Sequence, residues 1–284
     1  GNGYYDISMN NYFQKNTYNQ LSMKSYFYPK PDNDKVLAYE DIYPRSYYLP
    51  YNATTNPDGY KADERGPREF ALLKRAVDYI ANEVPDTLNI DRNNDGNIDN
   101  IIFVVKGDVS DWNGMLWPHM WDMKDEESYI HGKKVMNFNF QLETSKYFTV
   151  SALCHEMSHS LGFPDLYHYD ENLKHLSPTG PWDLMCNNAE PPQHHGTYMK
   201  YKYGTWIEEI PEIGYGTYTI EANSWEGGRR NCYKIATADT NQFYLVEFRN
   251  RNNTFERGLP DGGLLIYRLD TRYNGCIEYT GNDT

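Results

Sequence analysis

HEMSHSLGFPD, residues 155–165, sets two histidines four positions apart with a glutamate directly after the first. Val150, Leu153, Met157 and Leu161 recur around it at helical spacing, and Gly162 follows as a natural helix stop. A helix is therefore expected over about 150–161. On one face of a helix, residues four apart lie one turn apart, so His155 and His159 can aim both imidazoles at one point. Glu156 is rotated from them by about 100° and faces the space alongside. Two imidazoles on one face suit a zinc ion, which lowers the pKa of a bound water to about 7. A neighbouring carboxylate can take that water's proton and deliver it to a leaving group. His155 and His159 are thus candidate ligands and Glu156 the candidate general base.

A zinc site that does chemistry uses three protein ligands and keeps one position for water. Gly162 lets the backbone reverse, and beyond the rigid Pro164 comes Asp165, ten residues after His155. An aspartate oxygen binds zinc at about 2.0–2.2 Å, as acceptably as an imidazole nitrogen. Asp165 is the expected third ligand.

A second stretch, GPWDLMCNN at 180–188, places Met185 after a Gly-Pro turn. Together with HEMSHSLGFPDLY it resembles the immune inhibitor A family of secreted zinc metallopeptidases. MNNYFQKNTYNQL (9–21), DRNNDGNIDNIIFVV (91–105), LWPHMW (116–121), FYLVEFRN (243–250) and LPDGGLLIYRLD (259–270) are also similar, so the resemblance spans nearly the whole chain. It implies a metzincin-like catalytic domain that hydrolyses peptide bonds with zinc-bound water. It also implies a protein or peptide substrate and synthesis as a secreted precursor, hence a secreted or cell-surface location. In such a site Met185 packs beneath the ligands without binding the metal. Asp183 and Glu190, close to the methionine turn, are the rival third ligands. The resemblance also brings His119 near the substrate cleft. Some metzincins stabilise the oxyanion with a tyrosine two residues after the methionine; here that position is Asn187, leaving Tyr198 and Tyr201 as candidates.

DRNNDGNID sets Asp91, Asn93, Asp95 and Asp99 at positions 1, 3, 5 and 9 of a calcium loop. Gly96 occupies the sharp-turn position, and Asn97 would offer its carbonyl. Oxygen ligands on alternate residues suit a hard cation, not zinc. Ile102 stands where a full loop of this kind carries a bidentate glutamate. A structural calcium ion pinning the loop before strand 100–105 is expected.

Around these motifs, PREFALLKRAVDYIANEV (67–84) reads as a helix, with Pro67 at its first position. KSYFY (24–28), NIIFVV (100–105) and VMNFNF (135–140) read as strands, the second buried and the third covered on one face, with a turn at HGK (131–133). GTYMKYKYGTW (196–206) reads as a helix. After residue 211 the texture changes to four strand-like runs, TYTIEA, CYKIAT, FYLVEF and LLIYRL. The expected fold is α+β: a metzincin-like domain with a twisted sheet and an active-site helix over 1–210. A small antiparallel β unit over 211–284 follows, appended to that domain or integral with it.

Composition narrows the partners. Forty acidic residues against 27 basic ones give a formal charge of −13, which argues against a phosphate backbone as ligand. No apolar run reaches membrane-spanning length. The chain starts at Gly1 without a signal-peptide pattern and reads as a mature or trimmed segment. Cys154, Cys186, Cys232 and Cys276 form no Cys-x-x-Cys pair; Cys154 directly precedes His155 and Cys186 directly follows Met185, where a disulfide would brace helix and turn but two buried thiols are expected. The rival from another class is a non-catalytic calcium-binding adhesion or carbohydrate-binding module with a relic zinc motif. Such a relic would have lost the base or a ligand, and here Glu156 and both histidines are intact.

Overall fold

Ser8 opens the first helix: its hydroxyl accepts from the Asn11 amide at 3.2 Å and caps α1 (Met9–Asn16). Only two large side chains, Tyr12 and Phe13, carry this helix into the interior, and both are fully buried. Its polar remainder hides it from a periodicity reading, which treats 1–65 as irregular.

The computed structural model describes residues 7–110, 114–123, 126–144, 146–170, 172–173, 175–224 and 230–273. They form a mixed α+β fold of a few helices and small sheets. Two compact units emerge, one of residues 25–148 and one joining 1–24 to 149–284. The chain thus divides at 24/25 and 148/149, and not at the change of texture near 211. Residues 211–273 belong with the zinc motif.

In the 25–148 unit, α2 (Arg65–Ile80) takes the expected helix, starting two residues earlier and stopping four residues sooner. Pro67 sits in its first turn, where the amides have no helical acceptor. Phe70, Leu73 and Val77 share one core with Phe138, Phe140 and Leu142. The latter three lie on β5 (Asn137–Leu142), which runs between β1 (Ile101–Val105) and β2 (His119–Asp122). β1 pairs with β5 in parallel, Phe103 opposite Phe140, and β2 pairs with it antiparallel, His119 opposite Phe140. As the central strand, β5 has both faces covered, so Asn139 and Gln141 are buried as well. This corrects the single covered face expected at 135–140. β1 is only half-buried, with Val104 exposed, so the buried strand expected there is also corrected. His131 and Gly132 both have positive φ, 50° and 76°, and make the two-residue turn between β3 (Tyr129–Ile130) and β4 (Lys133–Lys134). The strand expected at 24–28 does not form. Phe27 is 75% exposed there, and β-prone residues with no partner strand gain nothing from extended pairing.

In the other unit, α1 packs on α3 (Val150–Ser160), and α4 (Thr197–Lys202) takes the Tyr-rich helix. β6 (Cys232–Ala236), β7 (Gln242–Arg249) and β8 (Gly263–Asp270) form an antiparallel sheet in that order. TYTIEA (217–222) is not a strand; it reaches the sheet only through a bridge from Ala222 to Phe248. The inward face of β7 carries Leu245, then Glu247, then Arg249. Arg249 donates to both oxygens of Glu256 at 2.7 and 2.6 Å, to Glu247 at 3.1 Å and to the Trp182 carbonyl at 2.6 Å. All three charged side chains are fully buried. Breaking such a pair strands a charge at a cost of about 3–5 kcal/mol, and the same guanidinium ties the sheet to the 180–188 turn through the Trp182 carbonyl. Cys154, Cys186 and Cys232 are free thiols, Cys186 half-buried; Cys276 lies outside the described residues.

Candidate metal centre

The Thr149 hydroxyl accepts from the Ala152 amide at 3.1 Å and starts α3. The helix ends where expected. Gly162 takes φ +90°, its amide donates to the His159 carbonyl at 2.8 Å, and the Phe163 amide returns to Ser158 at 3.0 Å. That reversal delivers Asp165 to the histidines. Its Oδ1 lies 3.0 Å from Nε2 of His155 and 3.3 Å from Nε2 of His159. One donor atom from each residue lies within 4.8 Å of the other two.

The opposite edge of each imidazole is occupied. Nδ1 of His155 donates to the Leu184 carbonyl at 3.1 Å, and Nδ1 of His159 to the Phe163 carbonyl at 2.8 Å. In a neutral ring this leaves the lone pair on Nε2. Two nitrogen lone pairs then meet a carboxylate oxygen that has no hydrogen-bond donor of its own. Three acceptors converging in a buried place call for a cation at their centre. The same tension appears in the acid–base behaviour. Burial pushes His155 down, but the Asp165 and Glu156 carboxylates outweigh it and lift the imidazole to about 9. Burial raises Asp165, yet the two imidazoles hold it far below the usual carboxylate range. A proton can serve one of these acceptors; a metal ion serves all three. The donor set, two nitrogens and one oxygen, fits zinc.

Glu156 is buried beside His155 on the same helix. The rival carboxylates are engaged elsewhere. Asp183 accepts from the amides of Met185 at 2.8 Å and Gly196 at 2.6 Å, and faces Nδ1 of His195 at 3.5 Å. Glu190 accepts from the Ser151 amide at 3.3 Å and its hydroxyl at 3.2 Å, at the start of α3. Met185 is fully buried with Phe163, Leu166 and Met199, and its carbonyl accepts from the Leu166 amide at 2.8 Å.

Sequence reasoning missed two features. Ser158, His195 and Asp183 line up, with Ser158 Oγ 3.0 Å from Nε2 of His195. The residue types suggest a nucleophile relay, but none of the three is more than 1% exposed, and the Ser158 hydroxyl donates to the Cys154 carbonyl at 2.7 Å. The line is a brace between α3 and the methionine turn; the paired histidines at 194–195 were its one trace in the sequence. The second feature is Tyr169, whose hydroxyl donates to Oδ2 of Asp165. Tyr198 and Tyr201 are not part of the donor group; they pack ring to ring at 6.4 Å. His119 is held within its own unit, with Nε2 2.7 Å from Glu69, Nδ1 2.6 Å from the Trp117 carbonyl and its ring stacked on Phe140.

The 91–99 loop closes largely on itself. Asp91 accepts from the amides of Asp95 at 3.0 Å and Gly96 at 3.1 Å, and from the Lys133 ammonium at 2.6 Å. Asp95 accepts from the Asn97 amide at 2.8 Å and the Asn93 side-chain amide at 2.8 Å, while Asp99 accepts from the Arg92 amide at 3.1 Å. Gly96 takes φ +88°, as the sharp turn requires. Among the described residues, the only group of three acidic, histidine or cysteine side chains gathered as a metal site is His155, His159 and Asp165. No helix of the described residues is long and apolar enough to cross a membrane. No protein-family model matches the sequence, and no curated protein matches it.

Proposed function

We propose that the protein is a zinc-dependent peptidase, an endopeptidase of metzincin-like type, as the immune inhibitor A resemblance implies. The carrying observation is the convergence of His155, His159 and Asp165, each histidine with its other nitrogen fixed by a backbone carbonyl. A zinc ion held there supplies a Lewis acid and a water of lowered pKa. Glu156 takes the proton of the attacking water and gives it to the leaving amine. Leu184 and Phe163 fix the imidazoles through their carbonyls, and Met185 fills the space under the turn. The substrate is a protein or peptide, and the location secreted or cell-surface. The test is zinc content together with digestion of an unstructured protein such as casein. One zinc per chain is expected, with cleavage that a zinc chelator stops and added zinc restores. Zinc binding with no cleavage would leave the relic-motif module as the better reading, and cleavage that persists in chelator would overturn the zinc mechanism.

For the second cation, oxygen donors at 91–99 and the Gly96 turn support calcium, whereas Lys133 already neutralises Asp91. On the calcium reading, adding Ca²⁺ raises the melting temperature, by mass action worth about 2.7 kcal/mol at a hundredfold excess over the dissociation constant. Asp91→Ala with Asp95→Ala removes the response. Identical melting of the wild type with and without Ca²⁺ would assign the loop to Lys133 alone.

A further inference from the structure

We infer that Tyr169 is a positioning residue for the third metal ligand, its hydroxyl holding Oδ2 of Asp165 so that Oδ1 alone turns toward His155 and His159. This rests on the zinc reading above. Each of the three donor side chains has two polar atoms, one turned to the common centre and one turned away. For His155 and His159 the outward atom is fixed by a backbone carbonyl, which no substitution removes. For Asp165 it is fixed by a side chain, four residues further on. A carboxylate with both oxygens free can rotate or chelate with both; a donor on one oxygen selects the other. Outer partners of this kind orient the ligand and tune its basicity.

Tyr169 is placed for that role. It is 40% exposed, so its oxygen can be removed without opening a hole in the core. Its ring meets Tyr167 edge-on at 5.5 Å, and Tyr167 lies nearly parallel to His155 at 6.3 Å. Tyr167 therefore adjoins the same centre through its ring, which makes Tyr167→Phe a matched control.

The experiment titrates zinc into the purified full chain against a chromophoric chelator and records the visible spectrum of the Co²⁺-loaded protein. Tyr169→Phe is expected to weaken zinc about 10–100-fold and to alter the Co²⁺ spectrum. Tyr167→Phe should do neither, and the melting temperature of chelator-treated Tyr169→Phe should match that of the wild type. Wild-type affinity and spectrum in Tyr169→Phe would overturn the assignment. So would an equal loss in Tyr167→Phe, or a lower melting temperature of the chelated variant, since both would trace the effect to packing. Should Asp165→Ala bind zinc as the wild type does, the zinc reading itself fails and this inference with it. Should Asp165→Ala lose zinc while Tyr169→Phe does not, the zinc reading stands and Tyr169 alone is excluded.

Discussion

Glu156→Gln is expected to abolish peptide cleavage while zinc stays bound. Glutamine nearly preserves the volume of a buried side chain, so α3 keeps its packing and the histidines their aim. What it loses is the ability to take a proton. General acid–base catalysis contributes about 10²–10⁴-fold, and here one carboxylate serves both directions of transfer, so turnover should fall by at least about a hundredfold. Zinc stoichiometry should not change, because Glu156 is not one of the three converging donors. Glu156→Ala should give the same loss of turnover, with some loss of stability from the hole it leaves. Near-normal turnover in zinc-loaded Glu156→Gln would take the base away from this residue. Loss of zinc in the same variant would instead make it a ligand.

Helix α3 was legible because its signals are local. Thr149 caps it, Gly162 ends it, and the apolar spacing between them sets its period. The three strands of the antiparallel sheet were legible for the same reason. What stayed hidden depends on partners distant in the chain. β5 alternates in sequence as though one face were wet, but β1 and β2 flank it and both faces are buried. KSYFY has strand-forming residues and finds no strand to pair with. Glu247 and Arg249 look like the polar side of β7, yet they face inward because Glu256 and Trp182 meet Arg249 there and Arg249 and Thr197 meet Glu247. At the centre, the donor residues could be read from spacing, whereas the carbonyls of Leu184 and Phe163 and the hydroxyl of Tyr169 could not. A backbone acceptor leaves no mark in composition, and the Tyr169 contact comes from a segment outside any helix.

Asp165→Ala is expected to lower zinc content and activity together. Two imidazoles hold zinc weakly, and Asp165 brings a carboxylate oxygen to within 3.0 and 3.3 Å of their Nε2 atoms. Because bound metal stabilises the folded chain, the variant should also melt lower in zinc-containing buffer and show little further change on chelation. The two rival carboxylates make contrasting controls. Glu190→Ala removes an acceptor at the start of α3 and should keep full zinc content. Asp183→Ala leaves the buried amides of Met185 and Gly196 without their acceptor, at about 1–3 kcal/mol for each unsatisfied group. It should therefore destabilise the chain while zinc still binds below the melting temperature. Charge gives a further discriminator. A carboxylate ligand leaves the bound water less acidified than a third neutral imidazole would. If the 162–165 turn accommodates the longer side chain, Asp165→His should retain zinc and move the acidic limb of the pH–rate profile to lower pH. Full zinc stoichiometry in Asp165→Ala, with loss in Asp183→Ala or Glu190→Ala, would transfer the third ligand to that residue and leave the two histidines and Glu156 as assigned.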